Sequence, residues 1–202
     1  MIDYVGEHTL IGRLGEVFAT TSFSAALLAA VAYFFAFRTG QSAYKNLARG
    51  AFWLHTGALV ATAVTLFVML FNKYFEYDYV WQHANRDMPL RYIFSCFWEG
   101  QEGSFILWSF WNAILGNILL LTAKKFENLT MMVVSGFQLL LGSMFLGIYI
   151  LDFKIGNSPF TLIRELPENI GLPWTTMPDY LERIPTFENG RGLNPLLQNY
   201  WM

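Results

Sequence analysis

The residues with the types and spacing to do chemistry gather in one stretch, 95–111, which reads Ser-Cys-Phe-Trp-Glu-Gly-Gln-Glu-Gly-Ser-Phe-Ile-Leu-Trp-Ser-Phe-Trp. It is a polar loop turning into a membrane span. From Gly103 no charged residue appears until Lys124, so about 30 Å of helix can sit in hydrocarbon. Wound as a helix from about Gly100, the residues Ser104, Trp108, Trp111 and Leu115 fall on one face.

Two uses fit that face. Indoles collect at membrane boundaries, so the tryptophans could be interfacial anchors. They could equally form a platform for a planar, apolar, partly charged ligand such as a porphyrin, with Gly100 and Gly103 permitting close backbone approach. The residues by themselves leave both open.

Other chemistry-bearing side chains are sparse. Cys96 is the lone cysteine, which excludes an internal disulfide, a Cys-x-x-Cys redox pair and a Cys-x-x-Cys-His haem attachment site within these residues. It reads as a small hydrophobe near the membrane surface rather than a catalytic thiol. His8 lies in a polar lead-in and reads as an ordinary solvated histidine. His55 lies inside an apolar run, where an imidazole is more often hydrogen-bonded to a neighbouring helix than bound to a metal. His83 shares the loop 77–92 with Arg86 and Arg91, which either meet acidic groups of a ligand through bidentate hydrogen bonds or sit on lipid phosphates.

The elements that must position these residues follow from composition. Of 202 residues, 54% are hydrophobic and only 14% charged, where an ordinary soluble domain has about a quarter charged. A net charge of −2 offers no nucleic-acid footprint. Residues 17–37, 50–71, 103–123 and 129–151 are uncharged runs of 21, 22, 21 and 23 residues, each long enough to span a bilayer. Continuous apolar runs of this kind are helices, because barrel strands alternate. The fold expected is all-α and integral to the membrane, with four transmembrane helices over 1–151, a polar loop after the second, and a proline-rich tail over 152–202. In the last helix Gly136, Ser143 and Gly147 form a small-residue face suited to close helix packing.

Charge asymmetry sets the orientation. The turn 38–49 carries Arg38, Lys45 and Arg49 without an acid, and the next short turn carries Lys124 and Lys125. Basic short loops mark the cytoplasmic side. The loop 72–102, the tail and both termini are then extracytoplasmic. Six of the seven prolines fall in the tail, so short irregular elements are expected there, together forming a contact surface.

Three stretches carry a resemblance: Tyr79-Val-Trp-Gln-His-Ala-Asn-Arg-Asp-Met-Pro-Leu-Arg-Tyr92, Phe97-Trp-Glu-Gly-Gln-Glu-Gly-Ser-Phe-Ile-Leu-Trp108, and Gly190-Arg-Gly-Leu-Asn-Pro-Leu-Leu-Gln198. In this order they resemble landmarks of the CcmF/NrfE-type cytochrome c haem lyases, within the CcmF/CcmC/CcsA haem-handling group. The resemblance implies the N-terminal portion of a longer bacterial inner-membrane protein, either a natural split subunit or a piece of a larger chain. The family's tryptophan-rich WWD segment and its haem-ligating histidines are not among these residues, so no ligand carries over, and His8, His55 and His83 are not at ligating positions. What carries over is Trp98, Gly100, Gly103, Ser104 and Trp108, as support for a haem cavity. The implied cofactor is haem, and the implied partners are the C-terminal portion or subunit, a CcmE-type haem chaperone, apocytochrome c and membrane lipid. A different class of reading remains: a non-catalytic membrane scaffold or small transporter with interfacial tryptophan anchors.

Overall fold

A computed structural model describes residues 4–150 and 153–198. It is all-α in its main body, with four helices long and apolar enough to cross a membrane. Helix α1 spans Thr9–Thr39 and α2 spans Ser42–Asn72. Short helices α3 (Asp78–His83) and α4 (Ile93–Glu99) follow, then α5 (Gln101–Thr122) and α6 (Glu127–Leu146). At 31 residues each, α1 and α2 are about 46 Å long, which exceeds the roughly 30 Å of hydrocarbon. They therefore extend past the uncharged runs 17–37 and 50–71, taking in Arg13, Lys45 and Arg49. Only Gly40 and Gln41 join them. Gly40 has φ +69° and its N–H returns to the Ala36 carbonyl at 3.0 Å, the left-handed stop that glycine adopts without a Cβ clash.

Helix α6 ends at Leu146, short of the end of its apolar run. Gly147 adopts the left-handed conformation and the chain continues as a hairpin of β1 (Ile148–Ile150) against β2 (Phe153–Ile155), antiparallel. Residues 151, 152 and 199–202 lie outside the described residues.

The chain forms two compact units, each discontinuous in sequence. One comprises 16–63 and 105–157; the other comprises 1–15, 64–104 and 158–202. The first is a four-helix unit whose core joins Ala29, Ala32 and Tyr33 of α1, Ala48, Ala51 and Phe52 of α2, Leu120 of α5 and Met131 of α6. Alanine at these positions lets α1 and α2 approach closely, which is where membrane helices gain dispersion energy.

Polar side chains then fix which helix faces which. Ser22 of α1 meets His55 of α2, Thr56 of α2 accepts from Asn117 of α5 at 3.0 Å, and Ser109 of α5 and Gln138 of α6 bond reciprocally at 2.7 and 3.0 Å. Arg49 of α2 forks onto Glu127 of α6, with both contacts at 2.7 Å, and Lys45 adds a third at 2.8 Å. Such hydrogen bonds contribute only about 0.6 kcal/mol each on average in bilayers. Packing drives association and the polar pairs select register.

Gln138 and Ser135 also correct the expected packing face of α6. The buried positions are Glu127, Met131, Ser135, Gln138, Gly142 and Phe145, whereas a Cβ on Gly136 would meet open space. A glutamine left facing lipid would lose its partners, so the helix turns Ser135 and Gln138 inward and Gly136 outward.

The second unit gathers the N-terminal segment, the loop 73–100 and the tail. Glu7, its side chain 1% exposed, accepts from Arg164 at 2.7 and 3.2 Å and from the Tyr180 hydroxyl at 2.9 Å. Burial and the negative Glu7 together raise the Tyr180 phenol, keeping it a neutral donor. Tyr4 donates to the Thr175 carbonyl and Val5 N–H to that of Pro178, both at 2.8 Å. Several polar groups of the tail, Arg164 and Tyr180 among them, are thus turned onto the chain's own N-terminal segment.

Replacing Lys45 and Arg49 together with Met strands the buried Glu127 carboxylate and should lower stability in detergent by on the order of 3 kcal/mol. Adding Glu127→Gln should recover most of the loss in a thermal unfolding series.

Candidate functional site

The stretch 95–111 is a helix broken and restarted. Gly100 is extended (φ −77°, ψ 157°) and ends α4, which leaves the last carbonyls of α4 without helical partners. Side chains supply them. The Tyr79 hydroxyl of α3 donates to the carbonyls of Phe97 at 2.8 Å and Cys96 at 3.2 Å. Ser104, in the first turn of α5, donates to the Trp98 carbonyl at 2.6 Å. Burial, then the negative Glu102, hold the Tyr79 phenol well above its ordinary range, so it remains a proton donor.

The two glycines make this packing possible. A Cβ on Gly103 would lie 1.7 Å from the Phe97 carbonyl oxygen and 2.3 Å from the Tyr79 hydroxyl; one on Gly100 would lie 2.4 Å from the Tyr79 ring and 2.6 Å from His83 Nε2. The close approaches that the sequence assigned to a ligand are therefore made by Tyr79, His83 and Phe97. Of the five residues expected at the site, Trp98, Gly100, Gly103 and Ser104 come together at this break. Trp108 lies one turn further along α5, 60% exposed, with Trp111 at 58% and Leu115 also exposed. Ser104, Trp108, Trp111 and Leu115 are the face read from their spacing.

The three stretches that carry the resemblance converge on this break. Arg191 and Gly192 N–H groups donate to the carbonyls of Trp81 (2.7 Å) and Ala84 (3.1 Å), and Tyr92 donates to the Gln198 carbonyl. The Asn194 N–H bonds Glu99 Oε1 at 2.7 Å, while Glu99 Oε2 faces His83 Nδ1 at 3.2 Å. Glu99 thus joins one residue of each of the other two stretches. Tyr79, His83 and Glu99 were not singled out as site residues from sequence. A titratable residue in each of two motifs was the available signal, and it carried no information on distance.

The remaining candidates are placed as follows. Cys96 is buried with its Sγ 3.2 Å from Met88 Sδ; burial, and then the negative Glu99, push its thiol up to about 12, so it is inert as a nucleophile. Arg91 stacks on Tyr92 at 4.9 Å and Arg86 is exposed with its N–H on the Asn189 carbonyl. His55 Nδ1 donates to the Ser22 carbonyl at 2.9 Å, the hydrogen-bonded role expected for it, and its Nε2 is buried without a hydrogen bond. His8 differs from expectation: its Nδ1 bonds the Glu76 carboxylate at 2.9 Å and its ring stacks on Tyr74 at 4.0 Å. Among the described residues no three His, Cys, Asp or Glu side chains cluster as a metal site.

Two outcomes follow. Gly103→Ala should unfold at a markedly lower temperature than Gly136→Ala, since the first must displace backbone and the second meets open space. Cys96 should resist maleimide at neutral pH in the folded chain and react promptly once denatured, as mass spectrometry would record.

Two curated proteins resemble the chain over nearly its whole length. It is 25% identical over 191 residues to the cytochrome c-type biogenesis protein CcmF of Haemophilus influenzae, covering 94% of this chain and 26% of that protein. It is likewise 25% identical over 189 residues to the protein of the same name from Pseudomonas fluorescens, covering 94% of this chain and 25% of that protein. The chain therefore spans about a quarter of the length of these relatives. No family model matches it, and no solved structure does. What the chain is similar to, over nearly its whole length, is about a quarter of CcmF.

Proposed function

We propose that this chain works in cytochrome c biogenesis as the N-terminal, four-helix portion of a CcmF-type haem lyase assembly in a bacterial inner membrane. The observation that carries the reading is the convergence of the three landmark stretches on Glu99 and the Gly100 break, together with similarity to CcmF over 94% of the chain. A motif set retained for lipid anchoring alone would not need its third member, about 95 residues away in sequence, bonded to its second.

In this reading the long helices within 1–151 span the membrane and 152–202 lies outside it. Lys45 and Arg49 meet Glu127, which puts the two basic turns at one end of the four-helix unit. That is consistent with a cytoplasmic position for both. Haem is the cargo, delivered on the outer face by a CcmE-type chaperone and presented to the reduced cysteines of an apocytochrome, where thioether bonds form at its vinyl groups. The reacting atoms belong to haem and apocytochrome, so the protein's contribution is orientation. Trp98, Gly100, Gly103, Ser104 and Trp108 offer no iron ligand. The break at Gly100 fits a supporting wall: Gly100 and Gly103 let α4, α3 and the start of α5 pack closely, and Trp108, further along α5, exposes its indole.

The exposure of Trp108 and Trp111 favours one alternative specifically, a non-catalytic scaffold in which these indoles anchor the helix at the lipid boundary. Trp98→Phe and Trp108→Phe separate the two, because phenylalanine retains apolar area and loses the indole. Introduced into the intact maturation system, they should lower covalent haem attachment to a c-type cytochrome several-fold, read by haem staining at equal chain abundance. Unchanged attachment would favour the scaffold.

A further inference from the structure

His8 and His55 are hydrogen-bonded through Nδ1, His83 Nδ1 faces Glu99 Oε2 at 3.2 Å, and the three differ in what lies at Nε2. His55 Nε2 is buried in the four-helix unit. His83 Nε2 lies against Gly100, so close that a Cβ there would be 2.6 Å away. His8 is the exception: its side chain is 52% exposed, and it lines a half-open cavity of about 490 Å³, within the roughly 300–1,000 Å³ of small-molecule sites.

The surroundings of His8 orient its ring. Glu76, 4% exposed, accepts from His8 Nδ1 at 2.9 Å and from the His8 backbone N–H at 3.0 Å, and Tyr74 stacks on the ring with planes 15° apart. A carboxylate on Nδ1 sets the tautomer with the proton at that nitrogen and leaves a lone pair on Nε2; this is how ligating histidines are oriented for a metal. The Glu76 main chain is anchored separately, its carbonyl accepting from Ile163 N–H at 2.9 Å. An ordinary solvated histidine needs none of this.

The rest of the cavity has a matching chemistry. Tyr74, Phe75 and Phe187 supply aromatic walls, Lys73 and Arg86 supply cations, and Glu182 is the further acid at the rim. Lys73 is held in the left-handed region at φ +56°, with its ammonium donating to the Arg86 backbone carbonyl, and both residues line the cavity. One imidazole nitrogen, aromatic walls and two cations at the lining suit a planar metal complex with acidic arms.

We propose that this cavity is a metalloporphyrin-binding site in which His8 Nε2 donates its lone pair to the iron, with Glu76 positioning the ring and Lys73 and Arg86 facing the porphyrin's carboxylates. The proposal rests on the haem reading above for the ligand's identity, and on His8, Glu76 and the cavity for its place. It is separate from the Trp98–Trp108 wall and from any ligand in the remainder of the assembly.

The test is a titration of the detergent-solubilised full chain with ferric haem, reading the Soret band, beside iron-free protoporphyrin IX. The wild-type chain should give a shifted, saturable Soret band and bind the iron-free ring more weakly. Glu76→Gln should weaken haem binding about ten- to a hundredfold, the usual cost of losing an orienting partner. His8→Ala should abolish the shift while keeping the helical circular dichroism and unfolding temperature of the wild type, which a misfolded variant would not do. The same Soret band in wild type and His8→Ala, equal affinity for the iron-free ring, or no binding by the wild type would overturn the proposal. Intact cytochrome maturation by His8→Ala alongside any of these would leave the biogenesis reading standing and remove only this site.

Discussion

A polar group inside a bilayer has no water to turn to, and in the four-helix unit the Glu127 carboxylate, the Arg49 guanidinium and the amide of Gln138 all meet protein partners, although His55 Nε2 and the Ser135 hydroxyl are buried without one. That constraint explains more of this structure than helix propensity does. Glu127, with its side chain 1% exposed, is acceptable only because Arg49 and Lys45 close on it. Those cations come from the first two turns of α2, beyond the uncharged run of that helix. The same requirement turns Gln138 and Ser135 of α6 inward and pairs Ser109, Asn117 and His55 across helices. Each pair is weak, yet a helix rotated or slid by one turn would leave an amide or carboxylate in hydrocarbon, and that penalty enforces a single arrangement.

The second unit obeys the opposite regime. Its segments come from three distant parts of the chain, and its many prolines prevent a long helix from organising them. Order comes from backbone groups satisfied across segments: Ile163 N–H on the Glu76 carbonyl, Arg191 N–H on that of Trp81, and Asp78 N–H on that of Thr161. Buried acids serve as hubs. Glu7 collects Arg164 and Tyr180, Glu76 collects the His8 side chain and backbone, and Glu99 collects Asn194 and faces His83. Glu76 holds His8 by Nδ1, and that histidine lines a half-open cavity.

The glycines of the Glu-Gly-Gln-Glu-Gly-Ser run show how a motif's meaning changes with its neighbours. Read along the chain, Gly100 and Gly103 mark a place where something approaches the backbone. In the structure that something is Tyr79, with its hydroxyl capping the carbonyls that the break at Gly100 sets free. The run encodes a rigid corner between α4 and α5, and α5 leaves the corner with Trp108 and Trp111 facing outward.

The sequence by itself determined the four membrane-spanning helices, because runs of about 20 uncharged residues have one stable backbone solution in hydrocarbon, and the shared face of Ser104, Trp108, Trp111 and Leu115, because helical periodicity is local. It also carried the likeness to CcmF through the order of three stretches. The tertiary structure alone decided which face of α6 is buried, that the tail folds back on the N-terminus, and that His8 is an oriented, Glu76-bound imidazole rather than a solvated one. These depend on partners far apart in the chain, from 29 residues for Ser109 with Gln138 to 68 for His8 with Glu76 and 157 for Glu7 with Arg164. A side chain's charge and polarity are written in its own position, but the identity of the group that satisfies it is a property of three-dimensional packing, to which no local pattern gives access.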